Sequence, residues 1–324
     1  MKEIACVLCS VTLAALTSFA QVAAQTGDYP TRPIRVISGF PPGSSVDVLG
    51  RFMSSRLAER LGQQLVIDNR PGASGTIGAD IAARATPDGY TLFIMTASQI
   101  MSVPIFKKLP YEPLKSFTAI SPIGAGPLML VSHPSFAPKS VKDLIELAKS
   151  KAEALTYSSA GNGSINHVVG AMFANQAGAK MLHVPHKGGA PALFAVMGGE
   201  VNLMFATLPL SLTQIRAGKV KAYGITSRKP SLLAPNIAPL ADTLPGFEGT
   251  TWWGIVSPAG LPAPILRRLN AEMVGILNHP ESAQRLSAEG AEPWPLAPEA
   301  FSRFMQSELE KWTRVARDIG IRAE

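Results

Sequence analysis

The stretch VISGFPPGSSVDVLGRFMSSRLAERLG, residues 36–62, has the order of a strand, a turn of small residues and a helix. From Val46 onward, apolar residues recur at spacings of three and four, as on one face of a helix. Ser44 followed by Asp47 predicts a capping box at the start of this helix. A turn that opens a helix directly after a strand is a common place for an anion, because the unpaired amides and the helix dipole both favour negative charge.

The turn lacks the residues that bind nucleotide phosphates. Its sequence GSSVDVLGR holds no P-loop lysine and no G-x-G-x-x-G motif. A carboxylate needs only backbone N–H groups, hydroxyls and the positive helix end, which Gly43, Ser44 and Ser45 can supply. The alternative is an ordinary strand–helix connection with Ser44 as the N-cap, and the stretch alone leaves both interpretations open.

The same order of strand, turn and helix recurs along the chain. Strand-like runs at 64–70 and 89–96 alternate with helical patterns, and the rhythm restarts with 128–134 and 154–160. SSAGNGSINH, residues 158–167, is a second glycine-containing turn into a helix. This rhythm predicts parallel, doubly wound sheets in an α/β fold. Ligands of such sheets bind at the carboxyl ends of the strands, so the two turns could face each other across a cleft.

Charge and composition disfavour several classes of protein. The chain has 324 residues and a net charge of +7, but it has no run of five or more basic residues, so a nucleic-acid partner is disfavoured. Both cysteines, Cys6 and Cys9, lie in the N-terminal apolar run, which excludes disulfides and thiolate sites from the rest of the chain. The histidines and acidic residues follow no metal-binding motif, and we expect neither a metal nor a cofactor.

Residues 1–24 are predicted to be a cleaved signal peptide. An apolar run, Ile4–Ala20, follows Lys2, and Val22 and Ala24 occupy the −3 and −1 positions of an export cleavage site. A transmembrane anchor is the alternative, but the run is short for a bilayer span of roughly 20 residues. We therefore expect an exported protein, periplasmic in a cell with two membranes.

Two features allow alternative interpretations. Trp252 and Trp253 could line a ligand pocket or lie in the core. Ser164 and His167 are a neighbouring serine–histidine pair that a secreted hydrolase could use, but their spacing at a helix start is more typical of a cap and a helix-face residue. No G-x-S-x-G motif is present. The sequence therefore favours a binding protein over an enzyme.

Several motifs follow one another along the chain: YPTRPIRVISGFPPGSSVD, NRPGASGTIGAD with ATPDGYTL, YSSAGNGSINHVVGAMF, HVPHKGGAPAL, GGEVNLMF, AGKVKAYGITS and PAGLPAPILRRLN. In this order they resemble the Bug family, the periplasmic solute-binding receptors of tripartite tricarboxylate transporters. The resemblance implies a two-lobed, type II-like periplasmic binding protein fold of two doubly wound α/β sheets. It implies a lobe 1 from residues 25–99 and 225–324 and a lobe 2 from 100–224, joined by hinge crossings near Thr96–Ile100 and Tyr223–Thr226.

The resemblance also implies a site for a ligand carboxylate between the lobes. The site would include the turn after the first strand, the end of the third strand and the glycine turn of the other lobe, with further positions near the far end of the ligand. In chain order these residues are Pro42, Gly43, Ser44, Ser45, Asp47, Thr96, Ala97, Ser98, Gly161, Asn162, Gly163, Ser164, His186, Ala206 and Thr207.

Two departures from the family pattern concern the far end of the ligand. His186 stands where a tyrosine is common, and Ala206 stands where an aspartate is frequent. Without that acid an ammonium group lacks a partner, which argues against an amino-acid ligand. The resemblance implies a small organic carboxylate as ligand, permease subunits of a tripartite tricarboxylate transporter as partners, and a monomeric receptor. A carboxylate sensor for a two-component signalling system is the alternative function.

Overall fold

A computed structural model of the chain describes residues 29–150 and 155–322. Its strands are β1 (Ile34–Ser38), β2 (Leu65–Asn69), β3 (Thr91–Thr96), β4 (Phe117–Ser132), β5 (Leu155–Ser159), β6 (Met181–Pro185), β7 (Leu203–Thr207), β8 (Lys221–Ile225), β9 (Thr250–Pro258) and β10 (Glu292–Pro293). Its helices are α1 (Ser45–Leu61), α2 (Thr76–Ala83), α3 (Ala97–Ile105), α4 (Val141–Ser150), α5 (Ile165–Ala177), α6 (Gly189–Met197), α7 (Leu208–Arg216), α8 (Ala263–Leu277), α9 (Pro280–Ala288) and α10 (Pro298–Asp318). The predicted signal peptide, residues 1–24, lies outside the described residues. In the described part of the chain, no helix combines the length and the apolar character needed to cross a membrane.

The first sheet has the strand order β2-β1-β3-β9-β4, and β10 also pairs with β4. Strand β1 is parallel to β2 and β3, as the alternating pattern predicts. Four of the five residues of β1 are buried, because helices cover both faces of the sheet. Strand β9 runs antiparallel to both β3 and β4, so the sheet is mixed rather than wholly parallel.

The second sheet repeats this arrangement. Strand β5 is parallel to β6 and β7, and β4 runs antiparallel to β7 and β8. Each sheet therefore has three parallel strands followed by an antiparallel one. The first lobe is defined here as the first sheet with α1–α3 and α8–α10, and the second lobe as the second sheet with α4–α7.

Strand β4 passes from one sheet to the other. Its residues 117–127 pair with β9, and its residues 128–132 pair with β7 and β8. The change of partners falls after Pro127, later in the chain than the predicted crossing near Thr96–Ile100. The chain returns after β8, where Thr226 N donates to Leu128 O at 2.9 Å. The two crossings are thus hydrogen-bonded neighbours, and the lobe boundaries derived from the resemblance stay a prediction.

The apolar core is continuous through the crossings. One cluster of buried side chains includes Phe93 and Phe117 of the first lobe and Phe173 and Phe205 of the second. The C-terminal helix α10 adds an apolar stripe, of which Trp312 is 1% exposed. The lobes therefore share a core at the hinge while their strand ends face each other.

Candidate functional site

A small cavity lies between the lobes at the carboxyl ends of the strands. Its volume is about 30 Å³, comparable to the space of one water molecule. Its lining residues are Phe40, Ser44, Ser45, Val46, Thr96, Ser98, Ala160, Ile165, Asn166, Gly189, Thr207, Leu210, Thr251 and Trp253. None of these side chains is charged, and half of them carry a hydroxyl or an amide.

Helices α1, α3, α5 and α7 begin at this cavity. Each follows directly on a central strand, β1, β3, β5 or β7, and contributes residues of its first turn to the lining, such as Ser45, Ser98, Asn166 and Leu210. A helix N-terminus carries unpaired N–H groups and a partial positive charge of roughly half an elementary charge. Four such ends around a lining without charged side chains favour an anion.

The first turn is braced by Asp47. Ser44 Oγ accepts a hydrogen bond from Asp47 N at 3.2 Å, and Asp47 Oδ2 accepts from Gly43 N at 3.1 Å. The Asp47 carboxylate also accepts from Arg51 Nε at 2.9 Å and from Asn69 Nδ2 at 3.0 Å. Burial alone would raise the pKa of this carboxyl, but these hydrogen bonds, led by Arg51, lower it below its ordinary value. The Asp47 carboxylate thus completes the helix cap by accepting from Gly43 N, and its hydrogen bonds hold the turn in place.

Unpaired amides of both lobes lie at the cavity. Within the described residues, no protein acceptor pairs with the backbone N–H of Ser45, Val46 or Asn166. All three residues line the cavity. A ligand oxygen placed there would satisfy donors from α1 and α5 at the same time.

The second turn is held by side chains of its own lobe. Gly161 N donates to Ser159 Oγ and Gly163 N to His167 Nδ1, each at 3.1 Å. Gly161 and Gly163 have φ of 121° and 79°, which side chains rarely allow. Ser164 Oγ donates to Gly161 O at 2.7 Å and accepts from His167 N at 3.4 Å. The Ser164 hydroxyl and the His167 ring each bind the turn backbone, so this pair is a cap and a brace and does not have the geometry of nucleophile and base.

The structure brings five of the predicted site residues together at the cavity: Ser44, Ser45, Thr96, Ser98 and Thr207. The others lie in the surrounding turns, strands and first helical turns, namely Pro42, Gly43, Asp47, Ala97, Gly161, Asn162, Gly163, Ser164, His186 and Ala206. Their contact with a ligand stays a prediction.

The sequence did not identify Phe40, Thr251 and Asn166 as lining residues, and it left open whether Trp253 lines a pocket or lies in the core. Thr251 and Trp253 lie on β9, and the run of threonine, tryptophan and β-branched residues there was the available signal for a strand. Trp253 lines the cavity. Trp252 lies in the core, where its Nε1 donates to Glu308 Oε2 at 3.2 Å. Both tryptophans are almost fully buried, so the core interpretation holds for both, and contact of Trp253 with a ligand stays a prediction.

A second cavity of about 90 Å³ adjoins the first. Phe40 and Ala160 line both cavities, and the second is completed by the turn 71–75 and residues 186–188. His186 Nε2 is buried and has no hydrogen-bond partner among the described residues. The space between the lobes thus extends from the helix starts towards the turns after β2 and β6.

Two stacked histidines lie against the second glycine turn, residues 161–164. The rings of His167 and His183 lie 3.8 Å apart, and the Tyr157 ring flanks them. Burial, together with His183, lowers the pKa of His167 to about 3. Burial, together with His186, lowers the pKa of His183 to about 4. Across the two described ranges, no three His, Cys, Asp or Glu side chains are grouped to hold a metal ion.

We expect the free energy of unfolding to fall as the pH is lowered from about 7 to 4. In the unfolded chain both histidines have a pKa of about 6.5, above their folded values, so the unfolded state binds protons first. Their contribution is fully present above pH 6.5 and is lost as the pH falls towards the folded pKa values. Urea unfolding at several pH values measures this slope.

His167→Gln tests the source of the slope. Glutamine can still accept a hydrogen bond from Gly163 N but does not titrate, so the variant should have a shallower slope. His279→Gln, at an exposed position before α9, is the matched control and should keep the wild-type slope. Identical slopes in all three proteins would contradict the assignment.

The similarity to known proteins extends over most of the chain. Residues 49–321 match the family described as the tripartite tricarboxylate transporter family receptor. The structure is similar to Rpa4515 of R. palustris with adipate, at 32% identity and a TM-score of 0.88, covering 91% of this chain and 99% of that one. It is also similar to the periplasmic binding protein BugD, at 31% identity and a TM-score of 0.87, covering 91% and 100%. A third similar structure is MatC of Rhodopseudomonas palustris with bound malate, at 31% identity and a TM-score of 0.84, covering 89% of this chain and 99% of that one. The predicted periplasmic binding protein fold is thereby confirmed.

Proposed function

Since the chain belongs to the tripartite tricarboxylate transporter receptor family, we propose that it captures a small organic carboxylate between its lobes and delivers it to the permease of such a transporter. It is a solute-binding protein of that family and not an enzyme. The observation that supports a carboxylate is the convergence of four helix starts on one cavity without charged side chains.

Neutral donors suit a carboxylate ligand that must be released again. The amides of Ser45 and Val46, with the hydroxyls of Thr207 and Thr251, have no acceptor among the described residues and lie at the cavity. The lining holds no acid that could pair with an ammonium group. We therefore infer a ligand with carboxylate ends and no amino group. Adipate and malate, which appear with two of the similar structures, are of this type.

The ligand would couple binding to lobe movement. Ser45 and Thr96 line the cavity from the first lobe, and Asn166 and Thr207 line it from the second. A ligand that contacts both lobes at once favours their closed arrangement. The cavity of about 30 Å³ is far smaller than ordinary ligand pockets, which span roughly 300 Å³ or more, so the lobes have to separate to admit the ligand.

We further propose that the receptor acts in the periplasm after loss of residues 1–24, as a monomer that docks on its permease once closed. The family assignment and the predicted export signal support this location. Closure fixes the position of one lobe relative to the other, so a permease that contacts both lobes can distinguish the ligand-bound receptor from the open one.

A dicarboxylate should raise the melting temperature of the mature protein. At 100 times its Kd, a ligand that binds only the folded state adds about 2.7 kcal/mol of stability, which corresponds to a shift of about 5 °C or more. The panel is adipate, succinate and malate, measured by differential scanning fluorimetry. We expect at least one of them to give such a shift.

Matched compounds separate charge from shape. Adipamide replaces the carboxylates of adipate with neutral amides, and aspartate replaces the hydroxyl of malate with an ammonium group. Neither should shift the melting temperature. A shift with adipamide equal to that with adipate would contradict an anion site, and tight binding of aspartate would contradict the exclusion of amino acids.

A further inference from the structure

A strained turn of the first lobe reaches the second lobe. Ala73 and Ser74 have φ of 44° and 54°, an unfavourable region for residues with side chains. Ser74 is only 3% exposed. Such strain persists only where surrounding contacts hold the backbone, and it is concentrated at functional positions.

Gln99 of α3 holds this turn. Its Nε2 donates to Ser74 O at 2.9 Å, and its Oε1 accepts from Thr96 N at 2.8 Å and from Thr96 Oγ1 at 2.9 Å. Gln99 is fully buried. Thr96 lines the ligand cavity. One amide side chain therefore joins the strained turn to the cavity wall.

The turn presents the Ser74 hydroxyl to the opposite lobe. Ser74 Oγ donates to Asn162 O of the second glycine turn at 2.6 Å. Close by, Ile165 N at the start of α5 donates to Ser98 Oγ at 3.2 Å. Both bonds cross between the lobes, so both require the lobes to be together. Ser98 lines the first cavity, and Ser74 lines the adjoining second cavity.

We propose that Ser74 is a closure latch, a positioning residue that raises ligand affinity by bonding to the second lobe and so stabilising the closed arrangement. In an open protein, water can satisfy both the hydroxyl and Asn162 O. In the closed protein the two groups pair with each other. Without the hydroxyl the closed state loses this bond between the lobes, whereas an open state has no such bond to lose, so the loss falls on the closed state. The apparent Kd increases as the closed, binding-competent fraction decreases.

The test is Ser74→Ala in the mature protein with one fluorophore on each lobe. The chain after residue 9 contains no cysteine, so Ser55→Cys on α1 and Asn175→Cys on α5, both exposed, take the labels specifically. We expect the ligand-free lobe distance to shift towards the open value. The Kd for adipate should rise about tenfold, mainly through faster dissociation. Alanine is tolerated at positive φ in this turn, as Ala73 shows.

Thr76→Val is the matched control. Thr76 Oγ1 donates to Ala73 O at 2.8 Å, a bond in the same turn that stays within the first lobe. This variant should keep the wild-type Kd and lobe distance. Equal losses in both variants, or a wild-type Kd and distance in Ser74→Ala, would overturn the latch.

This inference rests on the proposed function only where it uses the Kd for a carboxylate; the distance between the lobes can be measured without a ligand. If adipate does not bind the wild type, malate is the second probe. If neither binds, the carboxylate assignment fails, and the lobe distance alone decides about Ser74. An opening of the ligand-free Ser74→Ala protein then supports the latch, and an unchanged distance overturns it.

Discussion

Gly188→Ala is expected to raise the Kd for the carboxylate by roughly tenfold to a hundredfold, since overpacking costs about 1–3 kcal/mol. Gly188 follows β6 in the second lobe, and Pro41 follows β1 in the first. A Cβ atom on Gly188 would lie 2.6 Å from Pro41 Cγ and 2.8 Å from Pro41 Cδ. The proline ring has no flexible end that could turn away, so the side chain would keep the lobes apart. An open protein has no such clash, and the defect is therefore one of closure.

Isothermal titration calorimetry with the carboxylate that raises the melting temperature measures this effect. The control is Gly199→Ala in the same lobe. Gly199 has φ of 75°, and a Cβ there meets no atom within 4 Å, so the variant carries backbone strain without an obstacle between the lobes. It should lower the melting temperature and leave the Kd unchanged. A wild-type Kd for Gly188→Ala would contradict the idea that the ligand complex needs the close approach of Gly188 to Pro41.

Thr226→Val should lower the free energy of unfolding by about 2–6 kcal/mol, because two buried polar groups would be left unpaired at about 1–3 kcal/mol each. Thr226 is fully buried. Its Oγ1 accepts from Leu128 N at 2.8 Å and donates to Gly249 O. Valine has nearly the same shape but neither accepts nor donates, so both backbone groups would lose their partner. Urea unfolding monitored by circular dichroism measures the change.

Thr313→Val supplies the comparison for this substitution. The Thr313 hydroxyl donates to Leu309 O at 2.6 Å within α10, where the helix backbone supplies other partners. We expect a loss below about 1 kcal/mol there. Equal losses of unfolding free energy at both positions would show that the hydrogen bonds at the crossings contribute no more to stability than a side-chain bond within a helix.

The local parts of the site could be predicted because the relevant signals are short-range. The cap at Ser44 was readable from residues three apart. Ser140 and Asp143, with the same spacing, form a reciprocal capping box in which both bonds are 3.1 Å long. Glycines at 161 and 163 likewise indicated a turn that needs positive φ. These features depend on a few neighbouring residues and not on how the lobes meet.

The long-range parts could not be predicted from the same patterns. Strand β9 and residues 117–127 of β4 are defined by pairing with each other, and both are buried almost continuously, so neither has the apolar–polar alternation of a half-exposed strand. Thr251 and Trp253 reach the cavity only through that pairing. The contact between Ser74 and Asn162 joins residues far apart in the chain and depends on how two separate lobes meet. Patterns within a short stretch of sequence cannot predict a contact between residues so far apart.

The neighbouring crossings limit how the molecule can move. Thr226 N donates to Leu128 O, and Gly249 N donates to Thr226 O, each at 2.9 Å, so the crossing segments are tied at one point. Hydrogen bonds at one place oppose sliding of the segments past each other and leave rotation there as the available movement. A small rotation there becomes a large displacement at the outer rim, in proportion to the distance from the axis. A partner that contacts both rims would then respond to one angle, whatever the chemical identity of the ligand that sets it.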